Sequence, residues 1–356
     1  MNGIPVMHDF ARRLIAWQRQ HGRHDLPWQN THDPYAIWVS EIMLQQTQVS
    51  AVIPYYQRFM TRFPDIATLA QAEEDHVLEH WSGLGYYSRA RNLHAAAQQI
   101  MQLHAGRFPQ QTDLLQALPG VGRSTAAAIA SFAFGQRHAI LDGNVKRVLA
   151  RCFGVAGWPS QPAVEKRLWQ LAEALLPETG MEAYTQGIMD LGATLCTRNK
   201  PACVACPYAD VCVARAENRI TELPASKPRK AIPEKQTIML LLMSGNEIFL
   251  EKRPPTGIWG GLWSLPEIGH GADLLQAVRD RFGFQAAALL PALPAFSHTF
   301  SHFKLQITPQ PIHVSKSALR AEERGTLWLD KEDALGAALP TPVRKLLQKL
   351  DGNETT

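Results

Sequence analysis

Two acidic side chains stand among neighbours that are mostly apolar. Glu41 lies in Val39-Ser40-Glu41-Ile42-Met43-Leu44-Gln45-Gln46-Thr47-Gln48, and Asp142 in Ile140-Leu141-Asp142-Gly143-Asn144-Val145-Lys146-Arg147. A carboxylate removed from water is costly unless paired or protonated, so a Glu in such a setting has its pKa raised towards neutrality, as a general acid requires. The plainer readings are a surface Glu at the edge of an amphipathic helix and an Asp that caps a helix N-terminus. Before Asp142 comes Leu118-Pro119-Gly120-Val121-Gly122-Arg123-Ser124-Thr125-Ala126. A helix opening at Thr112 breaks at Pro119-Gly120 and a second restarts after Gly122, where bare N–H groups can approach a phosphate.

A third chemical cluster is sulfur. Cys196, Cys203, Cys206 and Cys212 are spaced C-x6-C-x2-C-x5-C, while Cys152 stands alone and reads as a small buried hydrophobe. Four thiols so crowded argue for a metal centre over disulfides, and both a [4Fe–4S] cluster and a structural zinc take four thiolates. The spacing lacks the paired C-x2-C knuckles usual for zinc.

The elements that must carry these groups are nearly all helical up to about residue 222. Phe10, Leu14 and Trp17 keep helical spacing, and Asp33-Pro34 supplies an N-cap and N1 proline for a helix reaching Gln45. Further helices are expected around 56–62, 75–81, 88–103, 124–134, 143–152, 162–176 and 181–191. The Pro-rich basic stretch within 223–235 reads as a linker. Beyond it the pattern is mixed: strands at 237–243, 247–252, 303–307 and 326–328, and helices at 272–282 and 343–350.

The chain has 356 residues, 46% hydrophobic and 19% charged, with net charge +4. That permits a polyanionic partner without demanding one. Local basic groups carry more information: Lys146, Arg147 and Arg151 after Asp142, Arg89 and Arg91 after Gly-Leu-Gly-Tyr-Tyr, and Arg198 and Lys200 among the cysteines. No secretory signal or membrane-length apolar run is visible, so a reducing intracellular compartment is expected.

The Leu118–Ala126 hairpin followed by Asp142 resembles the endonuclease III superfamily of DNA base-excision glycosylases. Ser40-Glu41 with Met43-Leu44-Gln45-Gln46-Thr47 is similar to the signature of its MutY-type adenine glycosylases. The resemblance implies a multidomain chain: an all-α helix-hairpin-helix glycosylase domain over 1–222 with an iron–sulfur loop, a linker over 223–235, and an α+β Nudix-like domain over 236–350. It implies that Glu41 protonates adenine at N7, that Asp142 stabilises the positive sugar, and that Asn144 helps position one of them. DNA contacts fall to Gly120, Gly122, Ser124 and Lys146, with Gln45 and Tyr86 entering the base stack. Lyases of the superfamily carry lysine where Ser124 stands, so strand cleavage is not expected. Cys196, Cys203, Cys206 and Cys212 become ligands of a [4Fe–4S] cluster. Arg23 and Trp28 are candidates for the adenine pocket.

The same resemblance assigns Phe300-Ser301-His302 to the loop that contacts 8-oxoguanine opposite the adenine. Nucleotide hydrolysis by the second domain is not expected, because Ala277-Val278-Arg279-Asp280-Arg281 lacks the acidic pair that would hold a divalent metal. The implied partner is double-stranded DNA carrying A:8-oxoguanine or A:G mispairs. The protein is expected to act as a monomer, in the cytoplasm at the nucleoid, with no membrane.

Overall fold

The computed structural model describes residues 4–227, 232–315 and 325–351. The chain divides into two compact units, Met1–Gln71 with Asn92–Pro228, and Ala72–Arg91 with Arg229–Thr356. The first is helical. Its core gathers Phe10, Leu14 and Trp17 from the first helix, Ile4–His21, with Val145, Val148 and Leu149 from Gly143–Cys152 and Tyr184 and Ile188 from Met181–Asp190.

The Pro34–Leu44 helix departs from the amphipathic expectation. Its Asp33 cap and N1 proline are in place, Asp33 accepting from the Tyr35 N–H. Tyr35, Ala36, Ile37, Trp38, Val39, Ser40, Ile42 and Met43 are all buried. A helix buried on every side belongs to a core. Glu41 therefore cannot be an ordinary surface carboxylate.

The hairpin also forms, with helices at Thr112–Gln116 and Arg123–Phe134. Gln111 precedes the first, so Thr112 is its first helical residue and not its cap. Gly122 precedes the second and offers its first N–H groups no side-chain acceptor. The front of the linker is not free chain: Leu223 is buried and its carbonyl accepts from Arg151 Nε at 2.8 Å. The basic pair Arg229 and Lys230 lies outside the described residues.

The second unit holds an eight-stranded mixed sheet. Its strands are β1 (Glu234–Ser244), β2 (Glu247–Lys252), β3 (Trp263–Ser264), β4 (Glu267–Ile268), β5 (Gln285–Leu289), β6 (Phe296–Thr299), β7 (Lys304–Ser315) and β8 (Thr326–Asp330). The central path runs β3-β2-β1-β7-β5, with β1 and β7 parallel and the other pairs antiparallel. β7 runs well past the expected 303–307, through Pro309 and Pro311. Their carbonyls accept from Leu293 and Leu290, between β6 and β5, so the missing proline N–H groups fall at a break in the ladder. The Leu274–Phe282 helix covers one face with Val278 and Phe282, and Phe249 packs edge-on against Phe282 and Phe284.

Among the described residues no helix is long and apolar enough to cross a membrane. Phe249→Ala should cost the second unit about 3–5 kcal/mol, the usual loss for a large core aromatic. Urea denaturation monitored by tryptophan emission measures it.

Candidate active site

Glu41 faces a cavity of about 390 Å³, within the roughly 300–1,000 Å³ range of small-molecule pockets. Arg23, Trp28, Ser40, Leu44 and Gln186 share its lining. Burial pushes the Glu41 carboxyl up to about 7, and the negative charge of Asp142 adds to the rise. The two acids are thus brought within electrostatic reach of each other, although they lie a hundred residues apart in the chain.

Asp142 does cap the Gly143–Cys152 helix, one carboxylate oxygen accepting from the Val145 N–H at 2.8 Å. That bond leaves the carboxylate further acceptor capacity. Burial raises its pKa, while N–H groups of Val145 and Asn144 and the charges of Arg147 and Lys146 pull the other way. The capping role and a chemical role are compatible on one side chain.

The segment that delivers Asp142 is tied down by Ser124, whose hydroxyl accepts from the Leu141 N–H at 3.0 Å. Gly120 adopts φ +77°, and a Cβ there would stand 2.9 Å from Asn92 Cβ, so the turn requires glycine. Gln45 Nε2 reaches the Gly120 carbonyl and Thr125 Oγ1, each at 3.4 Å, joining the Glu41 helix to the hairpin.

The basic cluster after Asp142 behaves differently from a phosphate-binding surface, whereas Arg198 and Lys200 are exposed. Arg147 donates to Asn144 Oδ1 at 2.8 Å, to the Gly192 carbonyl at 2.6 Å and to the Cys196 carbonyl at 2.7 Å. Arg151 is buried and binds the carbonyls of Thr197, Arg198 and Leu223, with Cys196 Sγ at 3.5 Å. Lys146 pairs with Glu165 at 2.5 Å. The two arginines stitch the Asp142 helix to the cysteine loop, while Lys146 ties it to the Pro162–Ala174 helix. Sequence reasoning could not see this, because an arginine at a helix position looks the same whether it faces water or carbonyls.

It also passed over Gln186 and Asp190. Asp190 is fully buried, pairs with Arg23 at 2.6 Å and accepts from the Arg23 backbone N–H and from Gln186 Nε2 at 2.8 Å. The spacing of four places both on one helix face, the signal that was available.

Cys196, Cys203, Cys206 and Cys212 line a second cavity together with Leu191, Leu195 and Arg151. Cys152 lines it as well, so it is buried but not isolated from the other four. Among the described residues no three Cys, His, Asp or Glu side chains close around a point that would hold a single metal ion. The donors present are four thiols on a common, mostly hydrocarbon wall with a guanidinium N–H directed at one sulfur, a set whose softness fits iron–sulfur ligation.

In the second unit Tyr86 is half exposed at φ +50°, whereas Tyr87 is buried, which separates a projecting tip from a core tyrosine. Phe300-Ser301-His302 forms the turn between β6 and β7, closed by Phe300 N–H to the Phe303 carbonyl at 2.8 Å. His298 and His302 pack against Phe300, and neither has an acidic partner in ion-pair contact among the described residues.

Residues 39–174 match the HhH-GPD superfamily of base excision DNA repair proteins, and residues 237–349 match the NUDIX domain. The chain is 36% identical to the adenine DNA glycosylase of Buchnera aphidicola subsp. Acyrthosiphon pisum over 346 residues, covering 97% of this chain and 98% of that protein. It is 33% identical to the adenine DNA glycosylase of Homo sapiens, covering 97% of this chain and 74% of the human one. Among solved structures, a thermostable thymine-DNA glycosylase is 29% identical with TM-score 0.55, covering 60% of this chain and 98% of that one. An endonuclease III bound to DNA shares the fold, at 20% identity and TM-score 0.52, covering 61% and 99%.

The raised Glu41 pKa has a thermodynamic consequence. The native state keeps this proton up to about pH 7 and the unfolded chain releases it near 4.5, so stability falls as pH rises through that window. Glu41→Gln should therefore be more stable than the parent at pH 8 by up to about 3 kcal/mol. The gain should shrink to nothing by pH 4.5 in denaturation curves taken across the range.

Proposed function

The chain belongs to the adenine DNA glycosylases, and we propose that it hydrolyses adenine from A:8-oxoguanine and A:G mispairs in duplex DNA with Glu41 as acid and Asp142 as the carboxylate beneath the sugar. The observation that carries this reading is the pair of half-buried acids, Glu41 poised near neutrality beside a cavity and Asp142 close enough to perturb it.

A base inside a duplex is out of reach, so the adenine first leaves the stack and enters the cavity. Glu41 donates its proton to N7, which lets the purine depart neutral as the C1′–N9 bond breaks. Positive charge grows on the deoxyribose, and Asp142 stabilises it. Water then adds to C1′ and returns a proton to Glu41, leaving an abasic site. Asn144, held by Arg147, positions the Asp142 end of the helix. Ser124 supplies no amine for a Schiff base, and its hydroxyl already accepts from Leu141, which supports base removal without strand cleavage.

Gln45 and Tyr86 each enter the base stack near the lesion, and the hairpin around Gly120, Gly122 and Ser124 meets the backbone phosphate through the uncapped N–H groups of the second helix. Lys146 is a weaker phosphate contact than its position suggests, since Glu165 already engages it. Phe300, Ser301 and His302 meet the 8-oxoguanine edge. Cys196, Cys203, Cys206 and Cys212 hold a [4Fe–4S] cluster, whose contribution when bound is to order the loop carrying Arg198 and Lys200. The protein acts as a monomer on DNA at the nucleoid in the cytoplasm.

A duplex assay on both mispairs should show adenine release with no strand break until alkali is added; breakage without alkali would mean lyase chemistry. Asp142→Asn and Glu41→Gln should each lose about 10²–10⁴-fold in single-turnover rate, the usual worth of a positioned acid or base, while duplex affinity stays within a few-fold. Loss of binding in Asp142→Asn would reduce that residue to its capping role.

The purified protein should be brown with visible iron–sulfur absorbance. A colourless protein carrying zinc would refute the cluster assignment.

A further inference from the structure

The helical segment Ala72–Arg91 carries Tyr86, yet it forms one compact unit with the strand-rich half of the chain. Its attachments are polar and specific. Lys252 pairs with Asp75 at 2.6 Å, Ser82 Oγ donates to the Leu339 carbonyl at 3.1 Å, and Arg344 donates to Ser82 Oγ at 3.1 Å. Tyr87 Oη donates to the Leu339 carbonyl at 3.5 Å, and Arg91 Nη1 donates to the Gly260 carbonyl.

Gly260 directly follows Trp259, and Trp259 is not placed casually. It is buried at φ +55°, a left-handed backbone region that a bulky residue adopts only under strain. Its indole lies 5.3 Å from the Phe300 ring and 5.6 Å from His298. Phe300 in turn stacks on Phe303 at 4.7 Å. At the other end, the Arg91 N–H donates to the Tyr87 carbonyl at 3.2 Å, and Arg89 donates to the Tyr86 carbonyl at 2.8 Å while its guanidinium lies 5.3 Å from the Tyr86 ring. The contacts thus run from Tyr87, the chain neighbour of Tyr86, through Arg91, Gly260 and Trp259 to Phe300.

We propose that Arg91 is a positioning residue for lesion discrimination, joining the Tyr86 tip to the Phe300–His302 loop so that the two engage the mispair as one rigid jaw. This rests on the reading that the loop meets 8-oxoguanine. Guanine and 8-oxoguanine differ only along the N7–C8 edge. A loop that tells them apart must be held in register, and small displacements of a positioned group are costly. With the Arg91 hydrogen bond in place, recognition at the loop fixes where Tyr86 stands; without it, the two ends settle independently. Proximity alone does not establish coupling, so the test is energetic.

Single-turnover excision on A:8-oxoguanine and A:G duplexes would be measured for the parent, Arg91→Met, Arg91→Lys, Trp259→Phe and the Arg91→Met/Trp259→Phe pair. Lys252→Met, which loosens the same segment elsewhere, serves as control. Arg91→Met should lower the preference for 8-oxoguanine about tenfold, with the A:G rate within about twofold of the parent. Arg91→Lys should recover part of that preference. The double variant should be little worse than either single one. An unchanged preference in Arg91→Met, equal loss on both duplexes, multiplying losses in the pair, or the same loss in Lys252→Met each overturns the proposal. Should Arg91→Met not fold, Arg91→Lys and Trp259→Phe decide it by amide exchange. Lesion duplex must protect residues 83–89 in the parent and protect them less in both variants; equal protection rejects the coupling. A parent protein with no preference between the duplexes sinks the lesion-loop assignment itself, and this inference with it.

Discussion

The structure is governed by the electrostatic cost of keeping Glu41 and Asp142 near each other and away from water. Loss of solvation raises the Glu41 carboxyl to near neutrality, and the negative charge of Asp142 adds to the rise. The burial that creates this comes from the Pro34–Leu44 helix, which is covered on nearly all sides. A protein selected for stability alone would not keep an acid there. The proposed function makes use of that cost, since a carboxyl raised to near neutrality can donate a proton at physiological pH.

Much of the surrounding architecture exists to hold Asp142 against that cost. Its cap bond to Val145, the Ser124 hydroxyl on Leu141 and the Arg147 fork across Asn144, Gly192 and Cys196 each fix a different side of the same turn. The arginines behind it are inward-facing and satisfied by carbonyls, so they contribute rigidity where the sequence suggests surface charge. The cysteine loop is therefore mechanically continuous with the helix that presents Asp142.

The second unit applies the same logic with aromatic rings. Trp259, His298, Phe300 and Phe303 form a packed set under an exposed turn, and a strained backbone at Trp259 is held by its neighbours. The helix where a Nudix hydrolase would carry its acids instead presents Arg281, which grips Glu251 with both carboxylate oxygens.

Local rules in the sequence determined a good deal: the Asp33-Pro34 start, the break at Pro119-Gly120, the restart after Gly122, the Asp142 cap and the crowding of four thiols. Each depends on a few adjacent residues, which is why each was legible. Periodicity failed at Glu41, because a helix buried all round has no polar stripe to read, and at β7, because prolines are tolerated where no ladder needs their N–H. Only the tertiary structure decided that Glu41 comes within electrostatic reach of Asp142, that Arg147 and Arg151 turn inward, and that residues 72–91 keep company with the strands. Those outcomes depend on contacts between residues far apart in the chain, and no local pattern encodes the direction in which a charged side chain points.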